Sequence, residues 1–169
     1  MLKKGTQAPE FDLVDQDGKR HTLKSLLARG PLILYFYPAD FTPGCTREAC
    51  TFRDLQNDLV RAKLRVVGVS PQDADSHKKF AAKHNLNFPL LADPDKRAVK
   101  AYDVDGPLGF GVRRGTYLIG ADGKPLGAKH CLRWSQRGAQ QEELVFVAGH
   151  PGRTERLFTV DHLKFLRDV

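Results

Sequence analysis

The sequence predicts an α/β fold in which a central mixed β-sheet is flanked by helices. Three observations predict it. Residues 32–37 and 65–70 read as strands buried on both faces, apolar positions recur at helical spacing between and after them, and Gly or Pro punctuates most changes of pattern. With 169 residues, 41% hydrophobic and 28% charged, the chain has the composition of a globular protein and the length of one domain, expected over 1–169.

In chain order, residues 11–14 and 19–23 form a small hairpin, with Asp17-Gly18 supplying the turn. A short helix over 23–28 ends at Gly30-Pro31, and the apolar strand 32–37 follows until Pro38 stops it. From Cys45 onward the pattern is helical, with Ala49, Phe52, Leu55 and Leu59 on one face. Strand 65–70, helix 71–83, strand 88–92, helix 94–102 and strand 116–119 come next, and a turn at 121–124 leads into an antiparallel continuation. Alternating strands and helices imply parallel strands with right-handed crossovers, here followed by antiparallel additions, which is the layout of a thioredoxin-like sandwich. The region 129–156 reads less clearly; it holds one strand-like run at 144–148 and a loop at 149–154, before a last helix near 160–167. There is no internal repeat, low-complexity tract or linker.

Lys and Arg number 27 against 20 Asp and Glu, a formal net charge of +7. The basic residues are scattered, so they read as a solvated surface rather than a nucleic-acid footprint. Residues 1–17 lack the apolar stretch and cleavage site of a signal peptide, and the longest apolar run, 31–38, is far short of the roughly 20 residues that span a bilayer. The expectation is a cytoplasmic protein with no membrane or nucleic-acid partner. Three cysteines is an odd number, and in a reducing compartment such thiols are free, metal-bound or catalytic.

The informative segment is Pro38-Ala-Asp-Phe-Thr42-Pro-Gly-Cys45-Thr-Arg-Glu48-Ala-Cys50, between the first buried strand and its helix. Cys45 falls in the first helical turn, where unpaired N–H groups and the helix dipole stabilise an anion. An ordinary thiol of pKa about 8.5 is about 3% thiolate at pH 7, and lowering that pKa to about 6 raises the fraction to roughly 90%. Pro-Gly before Cys45 and its polar flank suggest a helix mouth open to solvent, which suits a nucleophile. Cys50 lies five residues on; in a regular helix the two Cα atoms are about 8.7 Å apart, whereas a disulfide needs less than about 7 Å. The two thiols therefore bond only if the first turns unwind. A pair of buried structural cysteines is the competing reading. A zinc site lacks a second ligand pair unless His130-Cys131 supplies it, and none of the histidines at 21, 77, 84, 130, 150 and 162 sits in a hydrolase motif, so each reads as a surface residue.

Pro38-x-x-x-Thr42-x-x-Cys45 resembles the active-site signature of the peroxiredoxins, and the string from Tyr35 to Cys50 is similar to the bacterioferritin comigratory protein, or peroxiredoxin Q, branch. Residues 5–13, 66–70, 88–93 and 114–119 agree with it, so the resemblance covers 1 to about 127 and leaves 128–158 poorly matched. It implies a thioredoxin-fold, thioredoxin-dependent peroxidase. Cys45 thiolate attacks a hydroperoxide and becomes a sulfenic acid, Cys50 resolves it to a disulfide, and thioredoxin, or a glutaredoxin, restores both thiols. It assigns Thr42, Arg114 and the backbone around Gly44 and Cys45 as donors to the departing oxygen, and Pro38 as a shield over the thiolate. No metal, flavin or haem is implied, and the branch is often monomeric, with a dimer as the alternative. Arg114 is chosen over Arg113 because it directly precedes Gly-x-aromatic-Leu-Ile; neighbours in a strand point to opposite faces, which leaves Arg113 as a solvent-facing charge. Glu48 either holds an arginine in position or is a surface carboxylate. Cys131 is a buried structural cysteine, an alternative resolving thiol or a site of intermolecular bridging. A disulfide oxidoreductase lacks its Cys-x-x-Cys here, and a peroxide-sensing thiol switch shares the same chemistry without turnover.

Overall fold

The computed structural model describes residues 5–106, 109 and 111–126. Its contacts divide the chain into two units, Met1–Lys129 and His130–Val169. The expected features at 128–158 and 160–167, Cys131, and the single-domain reading of the whole chain fall wholly or partly outside the described residues.

The first unit is a six-stranded sheet in the order β2-β1-β5-β4-β3-β6. The opening hairpin is β1 (Asp12–Asp15) against β2 (Arg20–Thr22). Gly18, at φ +78°, makes the turn that an L side chain would strain. The Asp15 carboxylate closes that turn by accepting the N–H groups of Asp17 and Lys19. Helix α1 (Leu23–Leu27) is short and carries a reciprocal capping box between Thr22 and Ser25.

Strands β3 (Leu32–Phe36), β4 (Arg65–Ser70) and β5 (Leu90–Ala92) are parallel. Strand β6 (Gly115–Ile119) runs antiparallel to β3, and β1 antiparallel to β5. Alternation explains why β3 reads as an unbroken apolar run. Leu32, Leu34 and Phe36 enter one core with Val67, Val69, Leu91, Val99, Tyr102, Tyr117 and Ile119, while Tyr35 and Tyr37 enter a second with Cys45, Ala49, Val66, Phe80, Phe88 and Leu90. Both faces of the strand are covered. A Cβ on Gly68 would stand 2.9 Å from the Tyr35 ring and 2.8 Å from Leu90, so only glycine admits that ring to the centre of the sheet.

Helix α2 (Pro43–Asp54) ends at Leu55, which also caps the start of α3 (Gln56–Arg61) on the way to β4. Leu55, expected on the apolar face, is 44% exposed because it caps α2 at this break. Helix α4 (Ala74–His84) begins later than Pro71 because the Asp73 side chain accepts the Ser76 N–H as its cap. Helix α5 (Arg97–Ala101) likewise starts after Pro94, since the buried Asp93 carboxylate takes the N–H groups of Arg97 and Val99. Burial pushes the Asp93 pKa up, and those N–H bonds offset only part of the effect. No helix among the described residues is long and apolar enough to cross a membrane.

Candidate active site

The site is built where the chain leaves β3. Parallel strands deliver their C-terminal ends to one edge of the sheet, and the loop 38–42 leads from there into α2. Thr42 is the N-cap, Pro43 the first helical residue, and Cys45 lies in the first turn. Pro43 has no N–H to leave unpaired, so Gly44 and Cys45 carry the N–H groups that lack a carbonyl partner within the helix. The Thr42 hydroxyl donates to the Ala39 carbonyl at 3.2 Å rather than capping the helix, and the Thr42 carbonyl accepts from Thr46 N–H at 2.9 Å. Pro38, half-buried, heads the loop.

Cys45 is 1% exposed, not at an open helix mouth as its polar flank suggested. The helix lays it on the sheet, over Tyr35 and Tyr37 of the second core. Its sulfur faces one charged group: the Nη2 of Arg114 donates to Cys45 Sγ at 3.1 Å, and Nη1 of the same guanidinium donates to Glu48 Oε2 at 2.7 Å. The arginine thus bridges two side chains three residues apart on one face of α2. Gly44 makes room for it, since a Cβ there would lie 2.7 Å from Arg114 Nη2. Arg114 lies just before β6 rather than within it, so strand alternation does not decide between the two arginines. Arg113 donates instead to the carbonyls of Asp105 (2.8 Å) and Asp103 (3.1 Å), and secures the preceding loop rather than standing free.

Cys50 is a free, half-buried thiol farther along the same helix, which runs unbroken through both cysteines. Beneath the helix lies an aromatic floor: Tyr35 stacks on Tyr37 at 5.4 Å and meets Phe52 of α2 at 4.9 Å. The Tyr35 hydroxyl is buried without a hydrogen-bond partner, and burial, then the negative charge of Glu48 and Asp40, raises its pKa well above the usual range.

Two residues of the site escaped sequence reading. Asp40, inside the loop, is buried and accepts from the Tyr37 hydroxyl (2.8 Å) and the Ser76 hydroxyl (2.6 Å). It also lies 2.9 Å from His77 Nδ1. Burial pushes the Asp40 pKa up, but the bonds from His77, Ser76 and Tyr37 outweigh it and hold the carboxyl below the ordinary aspartate range. His77 is fully buried and His21 is buried against Asp15 at 2.7 Å, so neither is the surface residue expected; each is enclosed because it has a carboxylate partner. The available signal was spacing, as His77, Phe80 and Ala81 share the buried face of α4. This network fastens the loop to α4 while Phe41 holds a left-handed φ of +60°, its ring packed on Phe80 at 5.2 Å. Among the described residues no group of three or more His, Cys, Asp or Glu side chains could hold a metal ion.

The AhpC/TSA family model matches residues 4–124. The chain belongs to that family. Within it the relatives are peroxiredoxins of the Q, or bacterioferritin comigratory protein, type. The chloroplastic peroxiredoxin Q of Oryza sativa subsp. japonica is 44% identical over 124 residues, covering 72% of this chain and 56% of its own. The chain therefore spans little more than half the length of such plant peroxiredoxins. The crystal structure of peroxidoxin BcpB from Mycobacterium tuberculosis has a TM-score of 0.70 and 38% identity, over 75% of this chain and 84% of that one. A bacterioferritin comigratory protein of Xanthomonas campestris, described for its alkyl peroxide reduction activity, has a TM-score of 0.65 and 33% identity, over 69% and 78% of the two chains. The fold is the thioredoxin fold of these peroxiredoxins. A second model, Peptidase S46, matches residues 117–169, which include the segment 128–158 that the sequence matched poorly to peroxiredoxins; it covers less than a third of the chain.

Proposed function

We propose that this peroxiredoxin is a thiol-dependent peroxidase acting on hydrogen peroxide and small organic hydroperoxides, with Cys45 as its nucleophile. One arrangement carries the reading: a buried thiol in the first turn of a helix, with an arginine N–H 3.1 Å from its sulfur. The Cys45 thiolate attacks the terminal oxygen of the hydroperoxide. The S–O bond forms as the O–O bond breaks, sulfur is oxidised to sulfenic acid, and the leaving oxygen takes up a proton to depart as water or an alcohol. Negative charge passes from sulfur to the leaving oxygen during that step. A fixed guanidinium and the N–H groups of Gly44 and Cys45 serve both ends of the transfer without reorganising. Arginine stays charged throughout, and Glu48 positions it. Thr42 adds its hydroxyl as a donor once substrate displaces the Ala39 carbonyl, and Pro38 limits access of water.

Cys50 then condenses with the sulfenic acid, releasing water and forming a disulfide. Because both residues lie on one continuous helix, the first turns of α2 unwind for this step. A dithiol reductant of the thioredoxin class, or a glutaredoxin, restores both thiols by exchange in a reducing compartment, which we read as the cytoplasm. Intact mass and alkylation mapping before and after one equivalent of hydrogen peroxide test the scheme. The expected result is loss of two hydrogens with Cys45 and Cys50 protected together. Cys45→Ser abolishes peroxide consumption, and Cys50→Ser keeps a first turnover while losing thioredoxin-supported cycling. Most of the activity surviving in Cys45→Ser overturns the proposal; undiminished cycling in Cys50→Ser overturns the role of Cys50 alone.

A further inference from the structure

A second site lies at the other end of the sheet. Arg65 opens β4 opposite Leu32, whereas the loop to Cys45 leaves β3 beyond Phe36; four strand residues, about 13 Å, separate the two levels. Here a cavity of about 290 Å³ opens among β2, α1, α3, the start of β4 and the segment before β5. That volume is near the lower bound of small-ligand pockets, roughly 300–1,000 Å³. Its charged lining is entirely basic: Lys19, Arg20, Arg29 and Arg65, with His21 beside them and no Asp or Glu among the lining residues.

The nearby carboxylates are already committed. Asp12 pairs with Arg20 at 2.9 Å and Asp15 with His21 at 2.7 Å. Lys19, Arg29 and Arg65 have no carboxylate partner among the described residues. One Nη of Arg65 donates to the Leu26 carbonyl, and its Nε is enclosed by protein, so a ligand in the cavity meets the remaining Nη face of this half-buried side chain. Burial, and then the like charge of Arg29, lowers the Arg65 pKa. The fold thus keeps two guanidinium groups close together around a space that offers neither a counter-charge. Like charges held side by side around a concave surface raise the local positive potential and favour an anion between them. Guanidinium forks match tetrahedral oxyanions with paired N–H bonds, and three unpaired cations suit a dianion better than a carboxylate.

We propose that this cavity is a binding site for a phosphate-class oxyanion, free or as the phosphoryl group of a small phosphomonoester, clasped between Arg29 and Arg65. The experiment is thermal melting and calorimetric titration of the full chain with inorganic phosphate or ribose 5-phosphate, against chloride at matched ionic strength. At a hundredfold excess over Kd, a specific ligand raises the melting temperature by about 5–10 °C. Arg29→Gln is expected to abolish that rise. Without ligand it melts no lower than the wild type, because it relieves repulsion by Arg65, an outcome that a purely structural arginine does not give. Tighter binding of ribose 5-phosphate than of phosphate assigns the phosphomonoester, and the reverse assigns the free ion. Equal melting in phosphate and chloride, or an equal rise in wild type and Arg29→Gln, overturns the site. Cys45 alkylation is followed in parallel, and its rate is independent of these ligands, so failure here leaves the peroxidase reading intact.

Discussion

Gly44→Ala isolates the contact on which the proposed chemistry depends. The added Cβ would lie 2.7 Å from Arg114 Nη2, where about 3.4 Å is needed for ordinary contact, so the guanidinium must retreat by roughly 0.7 Å. It is the end of a flexible chain, 44% exposed, and can move without disturbing the core. Nη2 now stands 3.1 Å from Cys45 Sγ, and the retreat carries it as far as about 3.8 Å, where a hydrogen bond to sulfur is weakened but not lost. A charge-assisted bond is worth about 1.5–3 kcal/mol, equivalent to roughly 10–150-fold in rate. Partial retention favours the lower end, so we expect a fall of about tenfold or more in the second-order rate with hydrogen peroxide. Stability moves the opposite way: alanine is favoured over glycine in a helix by up to about 1 kcal/mol, less near the end. The assay is rapid-quench mass spectrometry of Cys45 oxidation beside a denaturant melt. A variant as stable as the wild type that reacts within twofold of its rate refutes the reasoning.

Arg114→Gln removes the charge itself and should slow Cys45 oxidation by roughly 10–150-fold in the same assay; its pair with Glu48 is partly exposed, so the melt should shift by less than about 1 kcal/mol. Asp40→Asn replaces a buried carboxylate hydrogen-bonded with Tyr37, Ser76 and His77 and should cost about 1–3 kcal/mol at neutral pH. Because the folded-state pKa of Asp40 lies below its ordinary value, its stabilisation is present above the unfolded pKa near 4 and lost as pH falls through the folded pKa. The stability gap between wild type and Asp40→Asn should therefore narrow in melts taken progressively below about pH 4.

The sheet was legible because its inner strands are apolar on both faces; β4 runs from Arg65 to Ser70, the limits its sequence predicts. Helix starts were less legible, because a proline suggests a beginning while a side-chain cap decides it, as Asp73 does for α4. Helical periodicity ran on through Leu55, where the backbone leaves one helix and begins another. Within the site, Cys45, Thr42 and Arg114 were visible in a local motif or beside a strand. Asp40 and His77 were not, since their pairing joins residues 37 apart and shows only when α4 is laid against the loop. Burial of Cys45 escaped for a similar reason: its neighbours in sequence are polar, whereas its neighbours in space are Tyr35 and Tyr37.

Helix α2 is fastened unevenly. Its C-terminal half holds the sheet through the Phe52 ring on Tyr35, and Arg53 ties it to the end of α4 by a 2.7 Å bond to the His84 carbonyl. Towards the N-terminus the buried contacts come from Cys45 and Ala49, small side chains that bring little apolar area with them. Local opening follows the weaker anchorage, so the amides of the first turns exchange with solvent through smaller excursions than those beyond Phe52. The opening that the proposed disulfide requires is therefore expected in the turns that carry Cys45, with the far end of the helix as its anchor.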